Sequence, residues 1–353
     1  MNFKNLTLLV LVAIFAFPAC KKGTTPNPAT SNKTDTTTHV YAVGLIGPHS
    51  NKYHATYWKD GVIVNLTVDT TINSQASSIA VNGADVYIGG VTVNMATYWK
   101  NGNPVFFNDG NGNSAAIGAV TFSGTDFYAT GTRIDIGDNG HAATYWKNGI
   151  QTEIKTSINQ GSDAISVQGN DIYIAGGYTN SSTNVEITGY WKNGVLQNLQ
   201  ADPTSMSYAY GIAIAGSDVY VCGNTTAPNG NNIATYWKNG IAVNLTDGST
   251  PAIIYCIGVL GADVYMGGIK NIANGKGVAT YWKNGVAYSL ADGSTYSGVR
   301  AMAVYGNNIY FAGYLGDVAG NYIPVYWKNG AVVNLPGTTP ISSVYGITVT
   351  GGN

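Results

Sequence analysis

The triplet Tyr-Trp-Lys, followed by Asn or Asp and then Gly, begins at Tyr57, Tyr98, Tyr145, Tyr190, Tyr236, Tyr281 and Tyr326, and uses all seven tryptophans of the chain. Its spacings of 41, 47, 45, 46, 45 and 45 residues define a period. A second recurrent stretch, an apolar residue, Tyr, two more residues and Gly, places tyrosines at Tyr41, Tyr87, Tyr128, Tyr173, Tyr220, Tyr265 and Tyr310. Fourteen of the 25 tyrosines thereby belong to the scaffold. With residues 1–19 set aside as a leader and 20–38 as a tether, the remaining 315 residues amount to seven periods of 45. A fixed period of this length means one supersecondary unit, copied and stacked so that neighbours bury each other's apolar faces.

Each period holds four short runs of strand character separated by turn residues, here named a to d. In the second period they are Ile79 to Asn82, Val86 to Gly89, Ala96 to Lys100 and Pro104 to Phe107. The a run alternates in size, with Ile79 and Val81 on one side and Ser78 and Ala80 on the other, and a period of two assigns strand. Gly83 and its counterparts through Gly351 close a to b, and Lys-Asn-Gly closes c to d, where Asn-Gly favours the positive φ angles of a tight hairpin. Four antiparallel strands per period of about 45 residues predict an all-β fold, a β-propeller. The ends supply the arithmetic of closure. The first repeat starts with a b strand, Val40 to Gly44, and the chain finishes on an a strand, Ile347 to Gly351. Together they make a seventh four-stranded blade, which closes the ring with sheet hydrogen bonds and leaves no open edge.

The stretches Asp85-Val86-Tyr87-Ile88-Gly89-Gly90 and Ala96-Thr97-Tyr98-Trp99-Lys100-Asn101-Gly102 resemble the Tyr-Trp-Lys-Asn-Gly propeller repeats of Bacteroidetes lipoproteins and, more distantly, kelch repeats. The resemblance covers residues 39–353 and implies a cell-envelope role without any reaction or functional residues. The amino terminus agrees. Lys4 precedes an apolar run from Leu6 to Phe17, too short to span a bilayer, and Cys20 follows Ala19 directly. This resembles a bacterial lipoprotein signal, in which Cys20 becomes the lipidated first residue and the Thr-, Pro-, Asn- and Ser-rich stretch to residue 38 a flexible stalk. The expectation is an outer-membrane lipoprotein touching the membrane through its lipid alone. A formal charge of −1 with 10% charged residues leaves no basic footprint for nucleic acid. A monomer is expected.

In such a ring the a-to-b and c-to-d turns share one face, and the b-to-c and d-to-a connections share the other. The first face is nearly the same in every repeat, with lysines such as Lys100 and Lys238 beside turn aspartates such as Asp85 and Asp218. It reads either as a charged docking ring or as solvated hairpins with weak ion pairs. The second face varies over an invariant scaffold, as expected of binding loops. Its b-to-c loops include Val91 to Met95, Thr132 to His141 and Tyr178 to Glu186. The position two before the first large residue of each a strand is expected to ring the mouth of the central channel. It reads Ser77, Gly118, Asp163, Tyr210, Tyr255, Arg300 and Tyr345. Aromatics with charges of opposite sign suit a polar ring-shaped ligand, since sugars stack on aromatic faces and take hydrogen bonds from the rim.

Catalysis has less support. A glycosidase needs two placed carboxyl groups, and the chain has only Glu153 and Glu186 besides aspartates that fall mostly in turns. Asp163 with a loop partner such as Asp138 would be the pair. His39, His49, His54 and His141 lack zinc-ligand spacing. Asp109, Asn111 and Asn113 alternate as calcium ligands do, with Asp135 and Asp138 nearby, but no glutamate closes such a loop. Cys222 and Cys256 stand where sister repeats carry small residues and read as free thiols. The reading is a non-enzymatic module binding glycan or envelope protein, with no required cofactor. Its alternatives are an envelope glycoside hydrolase or lyase at the channel mouth, and a structural or assembly platform.

Overall fold

In the computed structural model, the described residues are 38–48, 52–66, 72–107, 114–135, 140–154, 160–180, 182–183, 185–199, 205–337 and 340–351. They lie in one of the chain's two units, Asp35–Asn353. Every regular element among them is a strand, 28 in all. Five four-stranded antiparallel sheets span 74–106, 114–153, 160–198, 207–244 and 252–289, each running a-b-c-d in sequence order. An eight-stranded sheet holds the strands of 297–334 together with Ile341–Gly351 and the three strands of 38–65. Its two halves meet through a single parallel pair, Tyr322 with Ile341. Within it, the last a strand pairs antiparallel with the first b strand, Thr38–Gly47, from Thr38 opposite Gly351 to Gly47 opposite Ile341.

The all-β propeller architecture expected from the repeat is met, and the apolar residues explain how the sheets stack. Each tryptophan on a c strand turns towards the preceding repeat and shares a core cluster with the apolar residue that directly follows that repeat's d strand. The pairs are Leu66 with Trp99, Phe107 with Trp146, Ile154 with Trp191, Leu199 with Trp237, Leu245 with Trp282, Leu290 with Trp327 and Leu335 with Trp58. The seventh pair leads from the last repeat back to the first. Phe107 and Trp146 stack at 4.9 Å with planes 3° apart, and the Trp58 indole donates from Nε1 to the Pro336 carbonyl at 2.7 Å. Full burial of one large apolar side chain stabilises by about 1.5–3 kcal/mol, so these seven wedges are a main source of cohesion between sheets. The two sides of the a strand divide as the size alternation predicts: Ile79 and Val81 pack with the preceding sheet, and Ala80 with the next.

The c-to-d turns are tight hairpins with two successive positive φ angles, 51° at Asn101 and 84° at Gly102. The asparagine side chain fastens this turn to the neighbouring a-to-b turn. Asn101 Oδ1 accepts from the Val86 amide at 2.8 Å and its Nδ2 donates to Asp85 at 2.8 Å. Repeats differ from the sequence reading chiefly in length. The a strand begins at Ser74 and the b strand runs to Thr92, because ladder hydrogen bonds require backbone, not apolar side chains. The expected b-to-c loops shrink accordingly. Val91 to Met95 is a hairpin turning on Val93 and Asn94, both at positive φ, and in the expected loop Thr132 to His141 the strands run to Asp135 and resume at Gly140.

Candidate functional site at the channel mouth

The inner strands share one irregularity. In each, a single residue is skipped by the ladder with the b strand, a β-bulge, and the skipped residues are Ser77, Gly118, Asp163, Tyr210, Tyr255, Arg300 and Tyr345. These are the positions that the sequence places around the channel. A bulge re-aims its side chain out of the regular alternation, and all seven residues line one cavity of about 220 Å³. The recurrent glycine three residues after the b-strand tyrosine makes the bulge possible. A Cβ on Gly90, Gly131, Gly268 or Gly313 would stand 1.9 Å from an a-strand carbonyl oxygen, and on Gly223 1.8 Å from that of Tyr208. Only a residue without a side chain lets that carbonyl approach.

Around the ring the chemistry is graded. Tyr210 and Tyr255 have ring centroids 5.2 Å apart, and Tyr208 stacks on Tyr210 with planes 9° apart. The Arg300 guanidinium carbon lies 4.3 Å from the Tyr255 centroid and 5.9 Å from that of Tyr314, close enough for cation–π attraction. Tyr314 in turn leans on Tyr322 at 4.6 Å. On the other flank, Asp163 is exposed to the space of the cavity it lines. The surrounding protein wall, and then repulsion from Glu186, raise its carboxyl to about 6. Burial also raises Glu186, against a hydrogen bond from the Tyr208 hydroxyl. Tyr210 is raised by burial first, then by its tyrosine and carboxylate neighbours.

Sequence reasoning missed three of these residues. Glu186, named in the sequence as one of two glutamates and as the end of a loop but given no place at the channel mouth, is a carboxylate neighbour of Asp163; the suggested partner Asp138 lies outside the described residues. Tyr208 was legible in principle, since it stands two before Tyr210 on a strand. Tyr314 follows the bulge-facing Gly313 directly. Ser77, by contrast, donates its hydroxyl to the Ile117 carbonyl of the next sheet at 2.9 Å, so it stitches two sheets and offers a ligand only an acceptor.

The invariant face carries ion pairs of 2.7–3.0 Å between Lys100, Lys147, Lys192, Lys238 and Lys283 and their turn aspartates. Each lysine also lies over a b-strand tyrosine, Lys238 at 5.2 Å from Tyr220. Hydrogen bonds from Lys238 and then Asn239 hold Asp218 below the usual carboxylate range. Such exposed pairs are partnered hairpin fittings and stabilise little. Cys222 and Cys256 are buried free thiols, and burial pushes Cys222 well up. Of the calcium candidates, Asp109, Asn111, Asn113 and Asp138 lie outside the described residues, as does Cys20, while Asp135 ends a b strand. Among the described residues no three His, Cys, Asp or Glu side chains gather as a metal would need.

No family model matches the chain, and no curated protein is found similar to it. Solved structures do match. The Pyrococcus horikoshii acylaminoacyl peptidase superposes with a TM-score of 0.53 at 14% identity, over 84% of this chain and 50% of that one. A Mycobacterium tuberculosis puromycin-hydrolyzing peptidase gives 0.56 at 9% identity, over 85% and 52%. The β-propeller domain of the Trilobed protease from Pyrococcus furiosus aligns at 12% identity with a TM-score of 0.44, over 72% and 95%. The chain spans about half the length of the two peptidases. At these identities the likeness concerns the fold.

Proposed function

We propose that the chain is a seven-bladed propeller, closed by the pairing of its last a strand with its first b strand. It would work as a monomeric, non-enzymatic binding module for glycans on a lipid tether at Cys20 of the outer membrane. The observation that carries the binding role is the convergence of seven bulge residues on one cavity. A bulge leaves a backbone position unpaired, and repeating it in every inner strand at a position where side chains differ in kind is a feature that packing alone does not need. Closure is supported by the seventh tryptophan wedge, Leu335 with Trp58, and by the long ladder between the chain's two ends. A stack of aromatic faces bordered by charged and hydroxyl groups suits sugars, which pair an apolar ring face with a polar rim.

Glycan-array binding without turnover, lost in Tyr210→Ala and Tyr255→Ala while the fold is retained, is the expected result. Binding unchanged in both variants would overturn the assignment. Cys20→Ser is expected to shift the protein from the membrane to the soluble fraction. A second reading, glycoside hydrolase or lyase, is favoured by one observation: Asp163 and Glu186 are neighbouring carboxyls, both raised. Product release that disappears in Asp163→Asn would establish it in place of simple binding.

A further inference from the structure

We propose that the sugar taken at the channel mouth is an acidic one, a terminal uronic-acid residue whose carboxylate sits on Arg300. This rests on the channel mouth being the glycan site. Arg300 is held between two tyrosine rings, Tyr255 and Tyr314. Stacking occupies the faces of the guanidinium and leaves its edge, where the N–H groups point, free for a partner.

That edge lacks one. Among the described residues no carboxylate lies within ion-pair distance of Arg300, and its Nε is buried without a hydrogen-bond acceptor. Arg133 also leaves its Nε without an acceptor but reaches Glu153 at 3.2 Å, so the missing carboxylate is what sets Arg300 apart. A half-buried guanidinium without a counter-charge is costly, and a ligand carboxylate supplies both charge and fork geometry. Arg prefers planar, bidentate partners, which favours carboxylate over a point-like anion.

The rest of the ring accommodates the remainder of such a residue. Tyr255 and Tyr210 continue from Arg300 as an aromatic wall for one sugar face. At its far end Asp163 accepts from hydroxyls, and with Glu186 beside it it repels a carboxylate placed the wrong way round, so the ligand has one orientation. The cavity of about 220 Å³ falls below the roughly 300 Å³ at which pockets for larger ligands begin. It takes one terminal residue and not an internal stretch of polymer.

The experiment is calorimetric titration of the full chain with trisaccharides ending in galacturonate, glucuronate or mannuronate, each beside its neutral hexose counterpart. At least one acidic member is expected to bind about ten-fold or more tightly than its neutral partner. Arg300→Gln should abolish that preference, and Arg300→Lys, which keeps charge but not the fork or the stack, should restore only part of it. Circular dichroism of each variant checks the fold. Equal affinity for acidic and neutral sugars, or a preference that survives Arg300→Gln, would overturn the acidic-sugar assignment and leave the glycan site standing. Failure of every saccharide to bind would overturn both.

Discussion

Gly223→Ala is the substitution on which the link between fold and site can be tested most directly. Its Cβ would stand 1.8 Å from the Tyr208 carbonyl oxygen and 2.8 Å from the carbonyl carbon, about 1.5 Å short of the roughly 3.3 Å at which carbon and oxygen meet comfortably. Neither atom belongs to a flexible side chain, so the a strand must move or the bulge at Tyr210 must straighten. Overpacking a core costs about 1–3 kcal/mol, and a clash between two paired backbones belongs at the upper end, about 3 kcal/mol. Gly216→Ala is the control. It sits in the a-to-b turn with φ 61° and nothing within 4 Å, so its cost is the left-handed conformation alone, about 1–2 kcal/mol. Urea unfolding followed by tryptophan fluorescence should rank the two variants in that order. Ligand binding should fail only in Gly223→Ala, whose clashing carbonyl belongs to the strand that aims Tyr208 and Tyr210. Were Gly223→Ala to unfold at the wild-type midpoint, or Gly216→Ala to be the more damaging, the steric account of the bulge would be refuted.

Trp58→Ala removes the indole and its bond to Pro336, and should cost about 3–5 kcal/mol, as for other buried tryptophans; a midpoint in urea within experimental error of wild type would argue against ring closure at this wedge. Asp163 holds its proton more tightly in the folded chain, up to about 6, than in the unfolded chain at about 3.9. Its contribution to stability is therefore full below pH 4 and lost as pH rises through about 6. Asp163→Asn should gain on the wild type in melting temperature at pH 7.5 relative to pH 4, and a gap that is constant with pH would contradict this. Cys222 and Cys256 should resist thiol reagents in the native protein and both react in denaturant, the free-thiol count by colorimetric titration being the readout. Asn239→Ala loses two turn hydrogen bonds of 2.8 Å and must keep a φ of 51°, so a loss of about 1–2 kcal/mol is expected in urea unfolding.

The strands, their turns and the address of the site were legible because each is written in neighbouring residues. Ile79 and Val81 alternating with Ser78 and Ala80 reports a pleat, and Asn101-Gly102 reports a hairpin. The seven bulge positions could be found because they keep a constant distance from a large residue that follows them. That they were bulges was not legible, although the glycine opposite each one stood in a recognised motif. Its reason is a carbonyl on another strand.

From the chain's residues alone follow the period, the all-β architecture and the set of side chains that differ at one repeated position, since all three depend on contacts between residues close together in sequence. Tertiary structure decided what those side chains do. Only the packing of one sheet on the next spends the Ser77 hydroxyl on Ile117, puts Glu186 beside Asp163, and clamps Arg300 between Tyr255 and Tyr314 with no carboxylate in reach among the described residues. Distances between facing sheets depend on how bulky wedges such as Trp99 and Trp282 settle against their neighbours, and no spacing along the chain encodes them.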